Sequence, residues 1–349
     1  MMTTNLTAHL NTELLPADEA SITRAAQALN EGALVAFPTE TVFGLGAIVT
    51  NESALQAVFQ AKGRPADHPL IAHISKVLAS KRGIQPWVMV DDRAVALIEA
   101  FWPGPLTLVL PIGPRMSRTV SGGQDSVGIR CPSHPVAQAL LSLVNAPVAA
   151  PSANRFGKVS PTSAAHVMEE LGGRIPYVLD GAIPEIGIES TILSLLDTQP
   201  VLLRPGHITP EQIEAVIHQK VLRPSQLPPQ SSADESVPRV SGSLEKHYSP
   251  DAKLLVVEPE WFKSLEAMQS AHTLIVGWTL PFLQAADAFL GKNGVDIMAL
   301  EDDSQAVAKV LYGILRKADE KGYNRIVMEL PAHKPEWEGV ADRLKRASA

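Results

Sequence analysis

The chain has one cysteine, Cys131, in 349 residues. A lone thiol excludes an internal disulfide framework and any thiolate zinc cluster. The plain reading of Cys131 is a small buried hydrophobe. The ten histidines show no HExxH or similar ligand spacing. No apolar run approaches the roughly 18 residues of a membrane span. Positive charge is also short: 30 basic residues face 37 acidic ones, for a formal net charge of −7. That opposes indiscriminate nucleic-acid binding, which needs clustered Lys and Arg, although a local basic groove stays open. Met1-Met2-Thr3-Thr4-Asn5 carries neither a basic leader nor an apolar core behind it. There is no dinucleotide glycine fingerprint, no Walker-type phosphate loop, and no Ser-His-Asp order with a nucleophile elbow. What these absences leave is a soluble cytoplasmic enzyme without resident metal or disulfides.

What is present is ordered in three parts. Residues 15–220 alternate helical and extended patterns. Helical spacing covers Ala20–Leu29, Ser53–Gln60, Pro135–Val144 and Thr162–Leu171. Short apolar strands are expected at Ala33–Phe37, Leu106–Leu110, Val127–Arg130, Pro147–Ala150, Tyr177–Asp180, Ser190–Leu196 and Val201–Leu203. Some follow one another too closely for helical crossovers, so a mixed sheet is expected. Residues 221–250 turn proline- and serine-rich and lose apolar periodicity, which marks an extended linker. Residues 251–349 return to βα alternation: strands at Leu254–Val257, Thr273–Val276, Val295–Met298 and Arg325–Glu329, helices at Glu260–Gln269, Phe282–Leu290, Gln305–Ala318 and about 337–346. That rhythm implies a smaller, parallel, Rossmann-like domain. The fold class is therefore α/β twice over.

Polar chemistry concentrates at strand ends. Pro38-Thr39-Glu40-Thr41-Val42-Phe43-Gly44-Leu45-Gly46 is followed by Lys62-Gly63-Arg64-Pro65, and Ala150-Pro151-Ser152-Ala153-Asn154 lies far downstream. Polar side chains and bare amides at strand ends are how α/β proteins build polyanion sites. Lys62 supplies a point charge and Arg64 a planar fork, the two halves of a phosphate clamp. Taken alone, the pair reads as a solvated helix end, and Ser152-Ala153-Asn154 as a cap or Asx turn. Ser160-Pro161-Thr162-Ser163 reads as a helix N-cap, which also suits an anion. Arg130, ending a short strand behind Gly122-Gly123, is a candidate carboxylate or phosphate ligand. His73 is a better ligand candidate than His68. Glu189-Ser190-Thr191 and Arg204-Pro205-Gly206 are further polar interruptions. The set suits phosphoryl or nucleotidyl transfer, where catalysis is positioning plus charge stabilisation.

In this order PTETVFGLG, KGRPADHPLI, FWPGPLTLVLP, GIRCPSHP, APSANRFGKVSPT, GIESTI, LLRPG and HYSP resemble the YrdC-like threonylcarbamoyl-AMP synthases in their long, two-domain form. The match runs over about 15–215 and resumes at His247-Tyr248-Ser249-Pro250; the C-terminal part matches in length and rhythm more than in residues. The resemblance implies a YrdC-like twisted mixed sheet with a basic crevice. It implies synthesis of L-threonylcarbamoyl-AMP from L-threonine, bicarbonate and ATP with Mg²⁺, releasing pyrophosphate, a nucleotidyl transfer. A downstream tRNA threonylcarbamoyl transferase would use the product. By position, threonine would be held by Thr41, His73, Arg130, Ala150 through its backbone, and Ser190. ATP would be held by Lys62, Arg64, His68, Ser126, Ser152, Asn154, Ser160, Arg204 and Tyr248. Lys62 and Arg64 would carry the catalysis, Mg²⁺ would arrive on the phosphates without protein ligands, and the linker would close over the crevice as a lid. Departures from the family pattern are Phe43 for Tyr, His68 for Asn, Ser126 for Thr, Ser241-Gly242 for Pro-Gly and Lys246 for Arg. A related carbamoyltransferase would need Cys-rich zinc modules that one cysteine cannot supply. The remaining alternative is a non-catalytic double-stranded RNA-binding module of the YrdC type, and the charge allows at most weak RNA binding.

Overall fold

The computed structural model describes residues 10–226, 238–242, 244–264, 272–292 and 294–349. A ten-stranded mixed sheet is built from β1 (Glu13–Leu15), β2 (Val35–Phe37), β3 (Gly44–Ile48), β4 (Ile71–His73), β5 (Leu106–Pro111), β6 (Ser126–Arg130), β7 (Val148–Ala149), β8 (Tyr177–Leu179), β9 (Thr191–Ser194) and β10 (Val201–Arg204). Their order is β1-β8-β2-β3-β7-β4-β6-β5-β9-β10. β4 pairs parallel with β6 and antiparallel with β7, so His73 stands opposite both Arg130 and Val148. Strands β2, β7, β8 and β9 are shorter than their apolar patterns, while β5, β6 and β10 each run one residue longer. Pro38, Pro132 and Pro151 cannot donate to a ladder and cut them off. The chain leaves the sheet at those points, and the polar loops begin there.

The helices over this sheet are α1 (Glu19–Asn30), α2 (Glu52–Lys62), α3 (Lys81–Ile84), α4 (Asp92–Phe101), α5 (Pro135–Ser142), α6 (Ala164–Leu171) and α7 (Pro210–Ile217). Each long one has a side-chain N-cap, such as Asp18 accepting from Ser21 N and Asn51 accepting from Ala54 N. α6 begins two residues later than its pattern, because Ser163 rather than Ser160 caps it, accepting from His166 N. Strands β1 and β3 and helices α3, α4 and α7 carried no sequence assignment. The Trp102 indole Nε1–H at the end of α4 nevertheless donates to Leu106 O, and the helix buries Leu97 and Ile98.

The second sheet contains β11 (Lys253–Val257), β12 (Thr273–Gly277), β13 (Val295–Ala299) and β14 (Arg325–Glu329), ordered β11-β14-β12-β13 and parallel throughout. α8 (Leu280–Asp287), α9 (Ser304–Glu320) and α10 (Glu338–Ala347) pack around it. The helix expected over 260–269 is a short 3₁₀ turn at Pro259–Lys263, and residues 265–270 lie outside the described residues. Trp261 and Phe262 pin that turn against Phe282 and Phe289. The linker is described only in part; 227–237 and 243 lie outside the described residues. Among the described residues, no helix is long and apolar enough to cross a membrane.

The second domain shares a core with the first. One buried cluster joins Val42, Val159 and Ile188 to Tyr248, Leu311, Tyr312 and Leu344. In contrast, the end of the parallel sheet where nucleotide-binding folds place a phosphate is occupied by the protein itself. The Glu329 carboxylate accepts from Trp278 N (2.7 Å), Thr279 N (2.9 Å) and the Thr279 hydroxyl at the start of α8. Replacing Glu329 by Ala orphans two amides. It should destabilise the full chain by about 2 kcal/mol, since hydrogen bonds to charged groups are the strong ones. An unchanged urea midpoint would contradict this.

Candidate active site

The site is built where β2, β4, β6, β7 and β10 end and β9 begins. Thr39 closes the turn after β2. Its Oγ donates to Val42 O (2.6 Å) and accepts from Thr41 N and Val42 N, both at 3.2 Å. Thr41 Oγ lies 2.8 Å from Thr39 Oγ and accepts from Arg130 Nη1 at 3.0 Å. A relay of hydroxyls thus aims Arg130. Behind it, Glu40 is buried, with Oε1 2.7 Å from Arg130 Nη2, although neither atom makes an aligned hydrogen bond. Losing one partner of such a pair typically costs 3–5 kcal/mol, so Glu40 fixes Arg130 even with strained alignment.

Lys62 ends α2, and Gly63 follows at φ 62°, the left-handed cap that turns the chain so sharply. The ammonium is drawn inward. Lys62 Nζ donates to Ser152 O and Asn154 O, both at 2.5 Å, and so ties α2 to the loop after β7. Arg64 Nη2 donates to Pro69 O at 2.9 Å, while its Nε has no hydrogen-bond partner. Arg204 donates to Ser190 O (3.0 Å), Ser190 Oγ (3.1 Å) and Ser241 O (2.8 Å). Lys62, Arg64 and Arg204 are buried and have no carboxylate partner among the described residues. Burial, reinforced by the charge of Arg64, pushes the Lys62 pKa well below its ordinary value. Burial likewise brings Arg64 down to about 10 and lowers Arg204. Uncompensated positive charge is the site's main electrostatic property.

His73 and His247 respond to it. Burial first, and Arg130 second, hold His73 at about 3; burial also brings His247 to about 3. The neutral His73 ring lies with Nδ1 3.1 Å from Ile71 O. Glu189 behaves in the opposite way. Burial alone would raise its pKa, but Arg343, Arg204 and hydrogen bonds from Ser160 and Arg343 bring it to about 2.

Of the fourteen residues expected at the site, Thr41, Arg64, His73, Arg130, Ala150, Ser152, Ser190, Arg204 and Tyr248 line one cavity. Five do not. Lys62 and Asn154 sit just behind the wall. Asn154 donates to Arg155 O and Lys158 O, and its Oδ1 is buried without a partner. Ser160 is fully buried and donates to Glu189 Oε1 at 2.6 Å. Ser126 faces a narrower pocket shared with Arg239, Val240 and Ser241. His68 stays half-buried at the rim, edge-on to Phe156. Sequence reasoning missed Thr39, Glu189, Ser241, Gly242 and His247 as lining residues. Glu189 and His247 stand inside the quoted motifs GIESTI and HYSP, so the signal was there. Gly242 was legible only as a departure. It has φ 77°, and a Cβ there would come within 2.3 Å of the Tyr248 hydroxyl. That contact needs a glycine.

A twisted mixed sheet with a buried basic crevice, backed by a parallel sheet, defines a two-domain α/β protein of the YrdC type. Two family models together span the chain: one described as telomere recombination matches residues 27–206, and one described as threonylcarbamoyl-AMP synthase, C-terminal domain, matches 208–349. A threonylcarbamoyl-AMP synthase from Pyrococcus abyssi is 39% identical over 95% of this chain and 95% of its own. One from Bacillus subtilis is 41% identical over 91% of this chain and 90% of its own. The crystal structure of P. abyssi Sua5 complexed with L-threonine superposes with a TM-score of 0.83 at 36% identity, covering 97% of this chain and 98% of that one. The chain belongs to the threonylcarbamoyl-AMP synthase family, in its two-domain Sua5 form.

Burial lowers the pKa of six histidines, and the two strongly depressed ones, His73 and His247, set a pH dependence. Folded, His73 and His247 titrate near 3; unfolded, they titrate near 6.5, so between these values the unfolded chain binds more protons. Their contribution to stability is therefore complete above about pH 6.5 and is lost as pH falls toward about 3. Denaturant midpoints should drop from pH 7 to pH 5, and His73→Gln should flatten the drop. A midpoint constant over that interval would show that the rings are not buried neutral.

Proposed function

We propose that this chain joins L-threonine, bicarbonate and ATP into L-threonylcarbamoyl-AMP with release of pyrophosphate, a nucleotidyl transfer serving N6-threonylcarbamoyladenosine formation in tRNA. The observation that carries the proposal is the buried surplus of cations at Lys62, Arg64 and Arg204, with a fourth cation, Arg130, lining the same cavity as Arg64 and Arg204. Two anions have to be gathered, a carbamate and a triphosphate, and desolvated guanidinium groups bind them far more strongly than exposed ones. The Sua5 structure holding L-threonine supports the amino-acid half. The Arg130, Thr41 and His73 side of the cavity would take threonine, and the Arg64, Ser152 and Arg204 side ATP. Bicarbonate supplies CO₂ by taking up a proton and losing water; the neutral threonine nitrogen adds to that carbon and gives up a proton, leaving a carbamate. A carbamate oxygen then attacks the α-phosphorus, the bond to the β-phosphate oxygen breaks, and pyrophosphate leaves.

Lys62 has a double role in this reading. It holds the Ser152 and Asn154 carbonyls in place, and it contributes field. Arg64, with an unpartnered Nε, is the freer ligand. Among the described residues no group of three or more His, Cys, Asp or Glu gathers into a metal cage. Glu189, the carboxylate on the cavity wall, is already occupied by Ser160, Tyr312 and Arg343. Mg²⁺ would therefore be held by the phosphate oxygens it arrives with, where it neutralises charge on the leaving group. The RNA-binding alternative finds no favouring observation here: the cations are buried in a cavity rather than spread along a face.

Arg64→Ala should cost on the order of 2–4 kcal/mol of transition-state stabilisation, by analogy with loss of an oxyanion donor. Near-wild-type pyrophosphate release that depends on threonine and bicarbonate would remove Arg64 from this role. The substrate series gives a second check. A site that hydrogen-bonds a hydroxyl rejects the isostere lacking it by roughly 10⁴-fold, whereas a missing methyl costs about 1–3 kcal/mol. Serine should outperform valine in ATP turnover, and the reverse order would rule out recognition through the hydroxyl.

A further inference from the structure

Glu189 is held by a knot of side chains from both domains. Ser160 Oγ donates to its Oε1 at 2.6 Å; Tyr312 OH and Arg343 Nε both donate to its Oε2 at 2.8 Å. Arg343 is fully buried on α10 and also donates to Glu189 O (3.0 Å) and Pro205 O (2.9 Å). Its guanidinium lies 5.7 Å from the Tyr248 ring, and Tyr248 lies 5.6 Å from Tyr312. Glu189 precedes Ser190, whose carbonyl and hydroxyl both receive Arg204. Pro205, held by Arg343, follows Arg204 directly. Ser160, Arg204 and Tyr248, three of the residues reached from this knot, belong to the set expected to hold the nucleotide; Ser190, expected to touch threonine, is reached as the anchor of Arg204.

We propose that Tyr312 and Arg343, from the C-terminal domain, are positioning residues for nucleotide binding: they fix Glu189, and through it Ser160, Arg204 and the Tyr248 ring. The proposal rests on the assignment of that side of the crevice to ATP. The physical argument is one of alternatives. A buried carboxylate with four lone-pair directions has to be satisfied, and the first domain supplies Ser160 while the second supplies two further donors. Without those donors Glu189 would compete for Arg204, the nearest other cation, and pull it from its place on Ser190. The second domain then sets the geometry of a site it does not enter.

The test uses the full chain with α,β-methylene-ATP plus Mg²⁺ as one probe and L-threonine as the other. Tyr312→Phe keeps the ring and the packing; Arg343→Lys keeps the charge and loses the fork. Each should weaken analogue binding about tenfold, the order seen for coupled contacts, and change threonine binding by less than about twofold. Combining Tyr312→Phe with Arg204→Ala should give a loss smaller than the product of the two single losses. If Arg204→Ala weakens the analogue but Tyr312→Phe leaves it at the wild-type value, the positioning role is wrong. Equal loss of both ligands would mean general loosening and would also overturn it. If Arg204→Ala has no effect on the analogue, the assignment of the site falls, and the inference with it. Should Arg343→Lys fail to fold, Tyr312→Phe still decides.

Discussion

The constraint that organises this molecule is positive charge taken out of water. Lys62, Arg64, Arg130 and Arg204 are all nearly inaccessible. Moving an ion from water into a protein costs several kcal/mol even after relaxation. The structure offsets that cost in different ways at each cation. Arg130 has Glu40, Lys62 has two carbonyl oxygens, and Arg204 has Ser190 and Ser241. Arg64 has Pro69 O and, 5.8 Å away, the Phe156 ring. Carbonyl dipoles stabilise a cation without neutralising it, so the field persists in the cavity. A polyanion entering there completes the pairing. The loops that bring these carbonyls in are the ones cut from the sheet by proline, and so the short strands are part of the same solution.

Seen this way, the second domain is not a separate attachment. Its α9 and α10 supply Tyr312 and Arg343 to Glu189, and its apolar residues continue the cluster that starts at Val42 and Ile188. Arg316 on α9 adds a further tie, donating to Val159 O and to Glu170. The usual ligand position of a parallel sheet is meanwhile filled by Glu329. What the Rossmann-like domain brings to the first domain is an outer surface that packs against Val42, Val159 and Ile188.

The alternation of elements, the mixed and parallel characters of the two sheets, and the family were legible in the residues. Strand ends were overextended, as at Ser190–Leu196 against the observed Thr191–Ser194, because apolar pattern continues after the ladder stops. The helix read over 260–269 was misjudged in its described part, where Trp261 and Phe262 satisfy a packing need rather than a helical one. At the site, PTET, KGR, SAN and HYSP announced themselves by local polarity. Arg343 did not. On α10 it is one basic residue among Lys345 and Arg346 in a polar, amphipathic stretch, and sequence offers no sign that it faces inward. Buried charges that act across a domain boundary leave a signal only in three dimensions.

The cavity itself says which wall yields to a ligand. It encloses about 40 Å³, whereas ligand sites usually span roughly 300–1,000 Å³. One wall is the Glu189 knot, where removing a single partner of the buried ion pair typically costs 3–5 kcal/mol. Another is Arg239–Gly242 of the linker. It is held by an exposed Arg239–Asp67 pair at 3.3 Å, by Gln124, by the apolar contact of Val240 with Ile71, Val109 and Ile192, and by Arg204 on Ser241 O. An exposed pair contributes at most about 1 kcal/mol, and a hydrogen bond about the same net. The linker wall is held by several small, separate contacts rather than by one buried ion pair. It also carries the one contact that shares a group with the nucleotide side, because Arg204 holds Ser241 O in the closed cavity. On the proposed function, a triphosphate that drew the Arg204 guanidinium to itself would remove that contact. Entry of the anion and release of the linker are thus competing uses of a single side chain.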